Sequence, residues 1–203
     1  MRKKLFILGL VLALLLLFPF LTSRHHAGDE TKKKRDSKDM IKDAIGDSWR
    51  SFVVRFDGDV YQLPAAVTTF SENGWVIEDD ATEMVNTQSA KTGVRLRKRD
   101  QVMRTTVRNY DDEVQPIAHT FVTSITFSHH DAILPIELPG GITEHSTLDE
   151  VLRVFGEPDR IEKSATFTFY TFGRMWEQVN ITFNHEKDYI HAISIEYAPR
   201  RLN

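Results

Sequence analysis

His129-His130 followed by Asp131 is the most metal-like cluster in a chain that contains eight histidines. A zinc site needs three or four donors converging on one point, whereas adjacent residues of a strand point to opposite faces. His119, His145, His185 and His191 would join the cluster only if the fold carried them there. Polar loop residues are the simpler reading. Acyl transfer would need a serine, a histidine and a carboxylate in one defined geometry. Ser128 beside His129, and Ser146 beside His145, offer adjacency in sequence alone, and a helix cap accounts for Ser146. The acidic groups Asp149-Glu150 and Asp111-Asp112-Glu113 suit a helix first turn and an exposed loop. No phosphate loop, dinucleotide fingerprint or zinc-peptidase helix occurs. The expectation is a protein that is not an enzyme and uses no cofactor and no metal.

Two other groups suggest binding. Arg95, Arg97 and Arg99 alternate, so they would share one strand face, with Arg104 and Arg108 on the next strand. Such a patch would receive a phosphate, a polyanionic wall polymer or an acidic protein; the simpler reading is a sheet edge blunted by charge against aggregation. In "ATFTFYTFGRMW", Phe167 and Phe169 fall on one strand face and Tyr170 and Phe172 on the other. One face must meet a helix. Tyr170, Phe172 and Trp176 are the expected anchors on the open face, being of the residue types that dominate protein interfaces. With Arg95, Arg97 and Arg99 they form the candidate interaction surface.

Positioning these groups requires sheets. "SFVVRFDGDVYQLP" alternates apolar residues around Asp57-Gly58, a strong hairpin signal. Pro64 suits the first turn of a short helix with Val67 and Phe70 inward, stopped by Asn73-Gly74. "GVRLRKR", "VMRTTVRNY" and "FVTSITF" predict three strands, and "AILPIELPGG" predicts a connector with at most a short edge strand. A second helix is written in "STLDEVLRVFGEP". Ser146 or Thr147 caps it, Leu148, Val151, Leu152 and Phe155 form one stripe, and Gly156 and Pro158 stop it. Three strands follow, with turns at Gly173-Arg174 and 185–188. Each half therefore reads as a short helix plus an antiparallel meander, the helix lying across its own sheet.

Met1-Arg2-Lys3-Lys4 precedes an uncharged apolar run bounded by Leu5 and Leu21. At about 17 residues it is short for a membrane span and long for a signal-peptide core. Cleavage after Ser23 would place Leu21 at the −3 position, and cleavage after Ala27 would place His25 there. Neither is a small residue, so an uncleaved anchor is favoured over secretion after cleavage. The basic amino-terminal flank puts the globular part outside the cytoplasm. Residues 23–46 are a polar linker. Of 26 basic residues, Arg2, Lys3, Lys4 and Arg24 lie in residues 1–27, leaving 22 basic against 29 acidic, a net of −7. That balance argues against nucleic-acid binding. With no cysteine, disulfides, thiolate metal sites and a lipidated anchor are excluded.

"LPGGITEHSTLDEVLRVFGEPD" and the strands after it resemble the repeat of the β-lactamase-inhibitor-protein-like fold, shared by small outer-membrane assembly lipoproteins. Gly141, Ser146, Thr147, Val151, Phe155, Gly156 and Pro158 occupy its recognisable positions. The wider layout of "FDGDVYQLP", "NGW" and "ELPGGI" resembles uncharacterised exported proteins of Gram-positive bacteria, many of them lipoproteins. This chain departs from them in lacking the lipidated cysteine. The resemblance spans about residues 50–198 and implies a sheet surface offered to another protein. The expected organisation is α+β: an anchor or signal (1–22), the linker (23–46), a first unit (47–137) and a second unit (138–203). The expected role is membrane-tethered binding of a protein or envelope component. An inhibitor or immunity-type protein and a histidine-dependent envelope hydrolase are the alternatives.

Overall fold

The computed structural model describes residues 45–128 and 135–202. The apolar run, nearly all of the linker, and His129, His130 and Asp131 lie outside the described residues. The first half contains β1 (Val53–Phe56), β2 (Asp59–Gln62), β3 (Ala65–Ala66), α1 (Val67–Glu72), β4 (Val76–Ile77), β5 (Met84–Val85), β6 (Ala90–Lys98), β7 (Gln101–Arg108), β8 (Gln115–Pro116) and β9 (Phe121–Ser128). The second contains β10 (Ile136–Leu138), β11 (Ile142–Thr143), α2 (Leu148–Phe155), β12 (Arg160–Lys163), β13 (Phe167–Arg174), β14 (Glu177–Asn184) and β15 (Tyr189–Tyr197). The fold is sheet-rich α+β.

The first hairpin forms where the Asp-Gly pair predicts it. Asp57 (φ 47°) and Gly58 (φ 85°) are both left-handed, which gives a turn whose twist matches the strands. β1 then pairs with β10, and β10 with β11, in a four-stranded sheet ordered β11-β10-β1-β2. The segment read as a connector with an edge strand is thus an inner strand. Its prolines, Pro135 and Pro139, fall just outside the three residues that pair.

The main sheet has nine strands, ordered β12-β13-β14-β15-β9-β7-β6-β4, with β3 also pairing β9. Each half contributes strands that step inward, and the last of each, β9 and β15, meet at the centre with Ala192 opposite Ser128 and Glu196 opposite Ser124. The two units expected from the sequence therefore share one sheet and one buried cluster. The boundary expected between 137 and 138 falls inside β10.

Side chains alternate across this sheet with a period of two. Val94, Leu96, Met103, Val107, Ile125, Ile181, Ile193 and Ile195 are buried on its inner face. The outer face is largely polar, although Phe169 is exposed on it. One row runs Thr171, Asn180, Ser194, Thr126, Arg104 and Arg95, each opposite the next in register.

α2 closes part of the inner face. Thr147 is its cap: its hydroxyl accepts from the Glu150 N–H at 3.3 Å, and the Glu150 carboxylate accepts from the Thr147 N–H at 2.9 Å. Val151 and Phe155 are buried, and the Phe155 ring meets Phe172 edge-on at 5.2 Å. α1 is shorter and has no side-chain cap. Pro64 is not in its first turn, because Ala65 and Ala66 first pair with β9.

Candidate binding cleft

The end of the main sheet where β13 turns into β14 carries an open cleft of about 500 Å³. Trp49, Phe52 and Tyr197 are among its lining, whose exposed surface is more polar than apolar. Trp49 starts a short 3₁₀ turn, Trp49–Ser51, that ends at Phe52 in the left-handed region (φ 51°). Phe52 stacks on Tyr197 with centroids 4.5 Å apart and planes 9° from parallel, and Trp49 meets Phe52 edge-on at 6.1 Å. The Trp49 indole donates to the Phe155 carbonyl at 3.3 Å. This ties the turn to the C-terminus of α2, where a carbonyl lacks a partner within the helix.

One wall is the β13–β14 hairpin. Gly173 lies in β13 with φ 98°, and a Cβ there would stand 2.9 Å from the Trp49 ring and 2.2 Å from the Glu177 carbonyl. Only glycine fits that approach. The loop after α2 supplies the second wall, since Asp159 accepts the Gly173 N–H at 2.6 Å and donates its own to the Thr171 carbonyl at 2.8 Å. Arg50 lies over the Trp49 ring at 4.4 Å.

Arg174 and Glu177 face each other in register and close the hairpin. Opposite charges so placed usually pair, yet here they make no ion pair with each other or with any other described residue. Between them Met175 and Trp176 form the turn, 71% and 51% exposed, with Trp176 left-handed at φ 75°. The tip is braced from beneath by the Ala198 N–H, which donates to the Trp176 carbonyl at 2.8 Å. The cleft thus offers two guanidinium groups and two carboxylates around three largely covered aromatic rings, beside an apolar hairpin tip.

The residues proposed from sequence fare unequally. Trp176 does not line the cleft but stands exposed on the hairpin tip between Arg174 and Glu177, which do. Phe172 is not an open-face anchor: it is fully buried, because its face of β13 is the one that α2 covers with Phe155. Tyr170, on that same face, is half-buried and packs against the core. The arginine patch is also corrected. Arg95 lies 3.5 Å from both Glu78 and Asp79, and Arg97 is ion-paired to Glu78, so both charges are compensated by the acids that follow β4. Arg99 is not on the strand at all. It sits in the β6–β7 turn with φ 58°, and its guanidinium lies 3.9 Å from Asp57. Leu5 and Leu21 lie outside the described residues.

Sequence reasoning did not single out Trp49, Arg50, Asp159, Arg174, Glu177 or Tyr197. One signal was available: an apolar Met-Trp pair between two strands, where a turn ordinarily places polar residues. Among the described residues no group of three or more His, Asp or Glu is placed to hold a metal ion, and no helix is long and apolar enough to cross a membrane. No family model, curated protein or solved structure matches this chain.

Proposed function

We propose that this protein is a non-catalytic binding protein, held at the cell membrane by its amino-terminal apolar segment with the globular part outside the cytoplasm. It engages a protein or envelope component at the cleft and the Met175-Trp176 tip. The observation that carries this reading is the exposed Trp176 beside a cleft whose Arg174 and Glu177 are unspent on each other. Exposed aromatic and arginine side chains around a preformed hollow are what interface hot spots are made of. The repetition of a helix followed by inward-stepping strands supports reading both halves as repeats of the β-lactamase-inhibitor-protein-like kind. The apolar run between charged flanks supports the tether.

A photo-cross-linking amino acid at position 175, introduced into the full chain in intact cells, tests the reading. The expected result is a discrete adduct that Arg174→Glu abolishes. If nothing attaches from this position, the tip is not a binding site.

A further inference from the structure

We infer that the cleft receives the hairpin tip of a second copy of this chain, so that two copies join about a two-fold axis at this end of the sheet. This rests on the reading of the cleft as a binding site and names its occupant.

An isologous interface must be self-complementary, because the same patch appears on both sides. This surface meets that requirement in shape and in charge. A protrusion, Met175-Trp176, stands next to Arg174 and Glu177, which line a mostly polar hollow together with Trp49, Phe52 and Tyr197. Rotating a second copy by half a turn sets each protrusion over the other hollow. The charges also match their own inverse, with Arg50 and Arg174 against Asp159 and Glu177. After rotation, Arg174 of one copy meets Glu177 of the other, which explains why the two do not pair within one hairpin. A purely cationic or acidic surface would repel its own copy, and this one does not.

The contact is small. One hairpin tip in one cleft, counted twice, falls short of the roughly 1,200 Å² of a stable free-standing interface. The membrane tether makes up the difference, since confinement to one surface raises the effective concentration of copies without any new contact. The association is accordingly a membrane-dependent one.

Because the chain has no cysteine, Met175→Cys gives a unique thiol at the tip. The full-length variant is treated with a short bismaleimide in intact cells, with Glu186→Cys, at the turn closing the opposite end of β14, as control. The expected product is a species of twice the chain mass from Met175→Cys and not from Glu186→Cys. Adding Arg174→Glu lowers its yield by about tenfold or more, as like charges facing each other require, and adding Glu177→Arg as well restores it. A Met175→Cys adduct of any other mass overturns the inference while leaving the binding reading in place. Monomer alone overturns the inference; a partner without a thiol would also give monomer, so the binding reading is decided by the photo-cross-link at position 175. Equal yield from the two thiols, or failure of the charge-exchanged double variant to recover, overturns the two-fold assignment.

Discussion

The indole N–H of Trp49 and the carbonyl of Phe155 are joined by a hydrogen bond that spans 106 residues of chain. The donor opens the Trp49–Ser51 turn and the acceptor ends α2, so that side of the cleft and the helix are fixed as one piece. Trp49→Phe keeps a ring in place but removes the donor. A buried hydrogen bond of this kind contributes about 1 kcal/mol, with a further loss from the smaller ring. Chemical denaturation of the full chain in mild detergent should give a fall of about 1–2 kcal/mol.

Gly173 and Gly58 make a matched pair. Both have positive φ, but only at Gly173 would a Cβ strike the Glu177 carbonyl and the Trp49 ring. Gly58→Ala should show the left-handed cost alone, about 1 kcal/mol. Gly173→Ala should add an overpacking cost of about 1–3 kcal/mol and should also perturb Trp49 fluorescence. Similar losses at the two positions would show that the close approach is not what holds Gly173.

Burial separates Phe172 from Trp176, although both belong to one hairpin. Phe172→Ala should cost about 3–5 kcal/mol, the range for a large ring removed from a core. Trp176→Ala should stay within about 0.5 kcal/mol of the parent, as exposed positions do, while abolishing cross-links from the tip. Urea midpoints of the two variants decide the point.

Two groups give the stability a pH dependence at opposite ends. Burial pushes the Tyr110 phenol up to about 12, and its hydroxyl has no hydrogen-bond partner. A pKa raised on folding means that the stabilisation is complete below the unfolded value near 10 and is lost as pH rises toward about 12. Tyr110→Phe should flatten that alkaline loss and cost little at neutral pH, because it removes an unsatisfied hydroxyl. Glu150 is the reverse case. Hydrogen bonds from the Thr147 backbone N–H and hydroxyl hold its carboxyl below the usual range. Its contribution is present above the ordinary carboxylate pKa and fades as acid protonates it. Glu150→Gln should reduce the acid sensitivity of melting, and Thr147→Ala should cost about 1 kcal/mol through loss of the cap.

Much of this was legible in the residues. The Asp57-Gly58 hairpin, the long strands β6, β7, β9 and β13 to β15, and α2 with its Thr147 cap follow from local chemistry and from periods of two and 3.6. What escaped was set by distant neighbours. β12 is not among the expected strands, because an edge strand has one partner and makes weak demands on its side chains. Gly173 looked like a turn signal, yet it is a strand glycine emptied to admit Trp49, and the turn falls two residues later at a tryptophan. Alternation placed Tyr170 and Phe172 together but did not say which face α2 would cover. The Arg95 and Arg97 charges were legible, whereas their neutralisation by Glu78 and Asp79 depends on β4 lying beside β6.

β15 is the last of the described strands and lies between β14 and β9 in the middle of the main sheet. During synthesis, every earlier strand emerges before the one that joins the two halves. Until Tyr189–Tyr197 arrives, the Ser124–Ser128 stretch of β9 and the whole of β14 present open edges. Such edges bind other strands readily, so a nascent chain needs protection from its neighbours until Tyr189–Tyr197 has been made. A frameshift or stop before Tyr189 would leave two half-sheets with sticky borders.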